Sequence, residues 1–136
     1  MSEHVLVEKI NKVLVLTLNR PEKKNALTRA MYKTLATEIA NAESDPKIRC
    51  VLITGNGDMF TSGNDLADFA AISNRKEAHP EDANPLLPTL AKAKIPLIAA
   101  VNGRAVNDSS AWQSTSKPLA ATTREAHRKP GTRCTA

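Results

Sequence analysis

The chain has 136 residues, of which 41% are apolar and 24% charged, a balance that predicts one globular domain and excludes wholesale disorder. It has no run of about 18 uncharged apolar residues and no basic-then-apolar leader, so we expect neither a membrane partner nor a secretory signal. Cys50 lies in an apolar run, which predicts a buried free thiol and so favours the reducing cytoplasm. Aromatic residues make up only 3%, and most of the net charge of +5 lies in residues 107–136, which argues against a nucleic-acid partner.

The N-terminal part of the chain predicts a β-hairpin followed by an amphipathic helix. Apolar stretches over residues 5–10 and 13–18 flank Asn11, and asparagine tolerates the positive φ that a two-residue turn needs. A helix is expected to begin near Thr28, a good N-cap residue. Apolar side chains at a spacing of four continue to Asp45, where the following proline ends the pattern.

Two later segments have the pattern of buried parallel strands. The run Cys50-Val51-Leu52-Ile53 within residues 49–54 and the segment 96–101 are apolar without alternation, which predicts strands covered on both faces. Short helical patterns follow Asp65 and occupy residues 86–93, and the polar stretch 73–85 predicts a surface loop. Strands that alternate with helices in this way predict the α/β fold class.

The last 30 residues, 107–136, differ from the rest of the chain. Leu119 is their only branched aliphatic side chain, and serine, threonine and alanine alternate with basic residues without a helical or strand period. Such a segment cannot bury enough apolar surface to offset the entropy of ordering it. We therefore expect a body over residues 1–106 and a disordered basic tail from Asn107 onward.

The segment over residues 55–66 is the strongest candidate for chemistry. A buried strand runs there into a glycine-rich turn, and Asp65 stands where a helix begins. Backbone N–H groups at a helix start are ready partners for a developing oxyanion, and Gly63 permits close approach of the backbone to a ligand. The residues alone leave two interpretations open, a structural turn or an oxyanion or phosphate site.

Three separate motifs resemble the crotonase superfamily, that is, the enoyl-CoA hydratase/isomerase family. They are Asn19-Arg20-Pro21 with Asn25-Ala26-Leu27, the segment 60–66, and the segment 95–103. The Ser-Gly-Asn-Asp-Leu run that ends at Leu66 is most similar to the Δ3,Δ2-enoyl-CoA isomerase branch, since hydratases more often have Ala-Gly-Ala-Asp. The resemblance covers residues 5–106, roughly the first two-fifths of a full family domain.

The resemblance implies an α/β spiral of ββα units, usually assembled as a trimer, that acts on acyl-CoA. It gives the backbone N–H of Asn64 the role of one of two donors to the thioester oxygen of the substrate. The other residues implied in binding the substrate are Lys24, Asn25 and Ala26, in the loop with Lys23 that borders the coenzyme A entrance, and Thr61, Ser62, Gly63, Asp65 and Leu66 around the turn. A lysine of this loop is implied to approach a phosphate group. It implies no metal and no separate cofactor, because coenzyme A is part of the substrate.

The sequence departs from the family pattern after residue 106. Asp108 stands about where the second donor glycine belongs, and Ala111 stands near the position of the hydratase glutamate. The glutamate of isomerases comes later in the fold than this chain reaches. We therefore expect a truncated family member, and we expect this chain alone to be inactive. The change of composition at Asn107 indicates a frame change or a junction. The alternative function is a non-catalytic fragment that binds coenzyme A or serves as an interaction module.

Overall fold

The computed structural model describes residues 3–74, 83–105 and 120–123. In this part of the chain the strands are β1 (Val5–Ile10), β2 (Val13–Leu18), β3 (Cys50–Gly55), β4 (Met59–Thr61), β5 (Leu97–Val101), β6 (Arg104–Ala105) and β7 (Ala120–Thr123). The helices are α1 (Arg29–Ser44), α2 (Leu66–Ser73) and α3 (Leu86–Lys92), and a 3-10 turn spans Pro21–Lys23. Among these described residues, no helix is long and apolar enough to cross a membrane.

The main sheet places β1, β2, β3, β5 and β7 side by side in that order. Strands β1 and β2 form the predicted antiparallel hairpin, and Asn11 in its two-residue turn has a φ of +56°. All neighbours from β2 to β7 are parallel, so the chain returns between them by crossover connections. As a result, the carboxyl ends of β2, β3 and β5 meet at one edge of the sheet.

The core lies between α1 and one face of this sheet. Leu14 and Leu16 of β2 are buried together with Met31 and Leu35 of α1. Burial of one such side chain contributes about 2 kcal/mol relative to leaving it in water. The side chain of Thr28 accepts a hydrogen bond from the Met31 N–H at 3.3 Å, which confirms the predicted N-cap of this helix.

The other face of the sheet is only half-buried within the described residues. In β3, Val51 and Ile53 are buried, whereas Leu52 between them is half-buried, and its partner Ile98 in β5 is half-buried as well. The expected full cover on both faces is therefore not met here. An apolar run shows that side chains favour burial, but it does not show how far each face is covered.

Beyond the strand ends, β4 and β6 form a short parallel pair. Gly103, just before β6, has a φ of +66°, and a Cβ atom at this position would lie 2.0 Å from the Asp58 carbonyl oxygen. Only glycine fits there. The side chain of Asn102 accepts from the Gly55 N–H at 3.0 Å and donates to the Gly57 carbonyl oxygen at 3.0 Å. These contacts fasten the turn after β3 to the end of β5.

Four residues of the C-terminal region belong to the sheet. Ala120–Thr123 form β7, which pairs in parallel with β5, where the sequence predicts disorder. Parallel pairing uses main-chain N–H and carbonyl groups, which side-chain periodicity does not reveal. The rest of the predicted tail, 107–119 and 124–136, lies outside the described residues.

Candidate functional site

The loop that follows β2 is organised around Asn25. This residue is fully buried, and its Oδ1 accepts from the Arg20 N–H at 2.8 Å. Its Nδ2 donates to the carbonyl oxygens of Asn56 at 2.9 Å and Met59 at 2.7 Å. Asn25 also has a φ of +55°, a backbone conformation that asparagine tolerates better than most residues. One side chain thus joins the loop after β2 to the turn after β3.

The turn at residues 61–65 lies against the same loop. The buried Thr61 hydroxyl donates to the Asn25 carbonyl oxygen at 2.8 Å and accepts from the Gly63 N–H at 3.1 Å. The Leu27 N–H donates to the Gly63 carbonyl oxygen at 2.8 Å, and the Asp65 N–H donates to the Leu27 carbonyl oxygen at 2.9 Å. These bonds form a parallel bridge between Leu27 and Asn64. Because such a bridge uses the two residues that flank Asn64, the N–H of Asn64 points away from Leu27.

A largely buried ion pair between Arg20 and Asp65 fixes the C-terminal end of this turn. Arg20 Nη1 lies 2.5 Å from Asp65 Oδ2, with the two side chains 15% and 13% exposed, and it also donates to the Ala26 carbonyl oxygen at 3.1 Å. Asp65 Oδ1 accepts from the N–H groups of Ala67 and Asp68 at 3.0 and 3.1 Å, and so caps α2. The hydrogen bond from Arg20, followed by that from the Asp68 backbone, holds the pKa of Asp65 below its ordinary value of 3.8.

An open cavity of about 790 Å³ lies beside this turn, a volume that fits a small-molecule ligand. It is lined by Arg20, Lys23, Ala26, Ser62, Gly63, Asn64, Asp65, Leu66, Ala67 and Phe69. Leu66 and Phe69 are 81% and 58% exposed, so the α2 side of the cavity is an apolar surface in contact with water. Lys23 and Arg20 add basic side chains to the lining, and Arg20 is paired there with Asp65. The cavity stands at the carboxyl ends of the parallel strands, where open α/β sheets commonly bind ligands.

The structure brings six of the nine predicted binding residues to this cavity. They are Ala26, Ser62, Gly63, Asn64, Asp65 and Leu66. The other three do not line it: Asn25 and Thr61 are buried in the hydrogen bonds that hold the turn, and Lys24 pairs at the surface with Asp58 at 3.2 Å. Asp108 and Ala111, the predicted positions of departure, lie outside the described residues.

Sequence reasoning gives no role to three lining residues, Arg20, Ala67 and Phe69, and misses one supporting contact, that of Tyr32. Arg20 belongs to a predicted motif but has no predicted role, because its partner Asp65 lies 45 residues away and no local pattern indicates the pair. Phe69 could have been found from its spacing of three after Leu66 on a helix. Tyr32, whose hydroxyl donates to Asn64 Oδ1 at 2.5 Å, carries no local signal at all.

The comparisons with known proteins agree with this architecture. The sequence profile of the enoyl-CoA hydratase/isomerase family matches residues 8–108. Enoyl-CoA delta isomerase 2 of Rattus norvegicus is 37% identical over 109 residues, 77% of this chain and 28% of the relative. The 2,3-dehydroadipyl-CoA hydratase of Escherichia coli is 41% identical over 107 residues, 78% of this chain and 41% of the relative.

Solved structures give the same result. An enoyl-CoA hydratase/isomerase from Pseudoalteromonas atlantica is 41% identical with a TM-score of 0.63, over 73% of this chain and 38% of that one. An enoyl-CoA hydratase from Mycobacterium tuberculosis is 28% identical with a TM-score of 0.69, over 87% of this chain and 45% of that one. Fold and site thus define an α/β protein of the crotonase superfamily.

Within that superfamily, the chain belongs to the enoyl-CoA hydratase/isomerase family, as its motifs predict. The profile match over residues 8–108 agrees with the predicted extent of 5–106. Its relatives are named both as isomerases and as hydratases, so assignment to the isomerase branch stays a prediction. The chain spans about two-fifths or less of the length of these curated relatives.

Proposed function

We propose that the cavity binds an acyl-CoA, with the thioester oxygen at the backbone N–H of Asn64. The observation that carries this proposal is the bridge with Leu27, which turns that N–H away from the neighbouring strand in a residue that lines the cavity. A rigid backbone donor of this kind stabilises negative charge that develops on a carbonyl oxygen. Relatives named for coenzyme A thioesters support the choice of substrate class.

The two sides of the cavity suit the two ends of such a ligand. Leu66, Ala67 and Phe69 offer an apolar surface to the acyl chain and the pantetheine. Arg20 is engaged by Asp65 and Ala26, so we assign the phosphate groups of coenzyme A to Lys23. No cofactor other than this coenzyme A enters the proposal.

Family chemistry needs more than binding. A thioester carbonyl acidifies the neighbouring carbon, and each fixed donor to the resulting enolate oxygen contributes about 3 kcal/mol. A carboxylate must also move the proton or activate water. Among the lining residues that the structure describes, the carboxylate is that of Asp65, which is held by Arg20 and caps α2. Its lowered pKa makes it a poor proton acceptor.

We therefore propose that the 136-residue chain binds acyl-CoA without efficient turnover. The test is calorimetric titration of the full chain with hexanoyl-CoA, followed by turnover assays on hexenoyl-CoA isomers. Saturable binding is expected, with turnover at least a hundredfold below the enzyme median of about 10 per second. The absence of saturable binding would refute the binding proposal. Turnover within tenfold of that median would show that residues 106–136 complete an active site.

A further inference from the structure

Tyr32 connects the first helix to the turn that lines the cavity. Its hydroxyl donates to Asn64 Oδ1 at 2.5 Å, across 32 positions of the sequence. Tyr32 lies in the first turns of α1, half-buried against the core. Asn64 is half-buried and lines the cavity. The contact thus reaches from the core of the domain to the residue whose backbone N–H is the proposed donor.

The helix that carries Tyr32 is a rigid support. The neighbouring Met31 and Leu35 are at most 1% exposed, and Thr28 caps the helix. A second contact joins the same end of α1 to α2, because the Arg29 N–H donates to Asp68 Oδ2 at 2.8 Å. These contacts fix the end of α1 that carries Tyr32 relative to the start of α2.

We infer that Tyr32 is a positioning residue that orients Asn64 toward the thioester oxygen, an inference that rests on the proposed function. The Leu27 bridge holds the backbone on each side of Asn64, and the Tyr32 hydroxyl holds its side chain. Together these contacts restrict rotation of the peptide that carries the N–H. The Asn64 N–H can favour one oxygen atom of the ligand only if the direction of the N–H bond is fixed. Loss of either contact should therefore weaken the preference for the thioester carbonyl oxygen.

The identity of residue 64 gives Tyr32 this role. An alanine at this position would offer no side-chain acceptor to a tyrosine hydroxyl. The hydrogen bond from Tyr32 to Asn64 therefore adds a side-chain contact to a turn that the backbone bridge with Leu27 also holds. The ligand group that this hydrogen bond helps to select is the carbonyl oxygen of the thioester.

The test compares two ligands that differ only in that oxygen, hexanoyl-CoA and its thioether analogue S-hexyl-CoA, on the full chain. The unaltered chain should bind the thioester about thirtyfold more tightly, so that partial and complete loss of this preference can be distinguished. Tyr32→Phe should lower thioester affinity about threefold to tenfold, the effect of one hydrogen bond, and change thioether affinity less than twofold. Thr37→Val, which removes a hydroxyl bonded only within α1, is the matched control and should change neither affinity.

A double-mutant cycle separates positioning from general support. On an Asn64→Ala background, Tyr32→Phe should have no further effect on thioester binding, because the Asn64 side-chain acceptor of the Tyr32 hydroxyl is absent. Equal losses for both ligands, or the same loss on the Asn64→Ala background, would overturn the inference. So would a Tyr32→Phe variant with unchanged preference for the thioester. If the unaltered chain itself does not prefer the thioester, the proposed function fails and the inference fails with it.

Discussion

Arg20 and Asp65 are 45 residues apart in the sequence, yet their side chains meet at 2.5 Å and join the loop after β2 to the start of α2. The pair connects two walls of the cavity, since both residues line it. Asp65 also caps α2 through its other oxygen. The shape of the cavity and the stability of the fold therefore depend on the same carboxylate.

The first prediction concerns pH. Because folding lowers the pKa of Asp65 below 3.8, its contribution to the free energy of unfolding is complete above the unfolded pKa and is lost as the pH falls through the lower, folded pKa. Asp65→Asn should lower the free energy of unfolding by about 1.5–3 kcal/mol at pH 7 and flatten its decline from about pH 5 to about pH 2.

Urea unfolding across this pH range is the measurement. Asp58→Asn is the control, because Asp58 pairs with Lys24 on the surface with its side chain 78% exposed. This variant should leave stability at pH 7 nearly unchanged. An Asp65→Asn variant as stable as the unaltered chain would contradict the role given to the ion pair.

The second prediction concerns Asn25. Asn25→Ala leaves the Arg20 N–H and the carbonyl oxygens of Asn56 and Met59 without their side-chain partner. It also places alanine at a φ of +55°. We expect a loss of about 3 kcal/mol or more in the free energy of unfolding.

Asn11 offers a matched control for the backbone part of this effect. It has nearly the same φ, +56°, but it lies exposed in the hairpin turn. Asn11→Ala should cost about 1 kcal/mol. The difference between the two variants measures the hydrogen bonds of Asn25, and equal losses would mean that these bonds contribute nothing.

Some of this architecture could be predicted from local sequence, and some could not. The hairpin follows from Asn11 between apolar stretches, and α1 follows from Thr28 and the spacing of Leu35 and Ile39. The turn at Asn64 was identified through its resemblance to a family motif. Its contacts with Tyr32 and Arg20 join residues 32 and 45 positions apart. Such contacts depend on how β2, β3 and the helices are arranged, which no local period encodes.

The third prediction separates the backbone of Asn64 from its side chain. Proline at this position deletes the proposed donor, while the bridge with Leu27 does not use that N–H. Asn64→Pro should abolish the preference for hexanoyl-CoA over its thioether analogue. Asn64→Ala should reduce this preference only several-fold, through loss of the Tyr32 contact. Similar affinities for the two variants in calorimetry would place the donor elsewhere.

The fourth prediction concerns the apolar wall of the cavity. Leu66 lines the cavity, so Leu66→Ser should weaken binding of hexanoyl-CoA about fivefold or more. Binding of acetyl-CoA should change less, since its short chain covers less of this wall. Leu87 of α3 is also an exposed leucine on a helix, 44% accessible, and it does not line the cavity. Leu87→Ser should leave both affinities unchanged, and a comparable loss there would argue against a specific acyl surface.

The most direct test of the central claim is hydrogen–deuterium exchange of the full chain with and without saturating hexanoyl-CoA. The proposed site requires slower exchange in peptides that cover residues 20–27 and 61–69, because these segments contain the residues that line the cavity. Peptides from β1 should not change, because that strand lies at the far edge of the sheet. Protection confined to residues outside the cavity, or no protection at a concentration that saturates binding, would contradict the account.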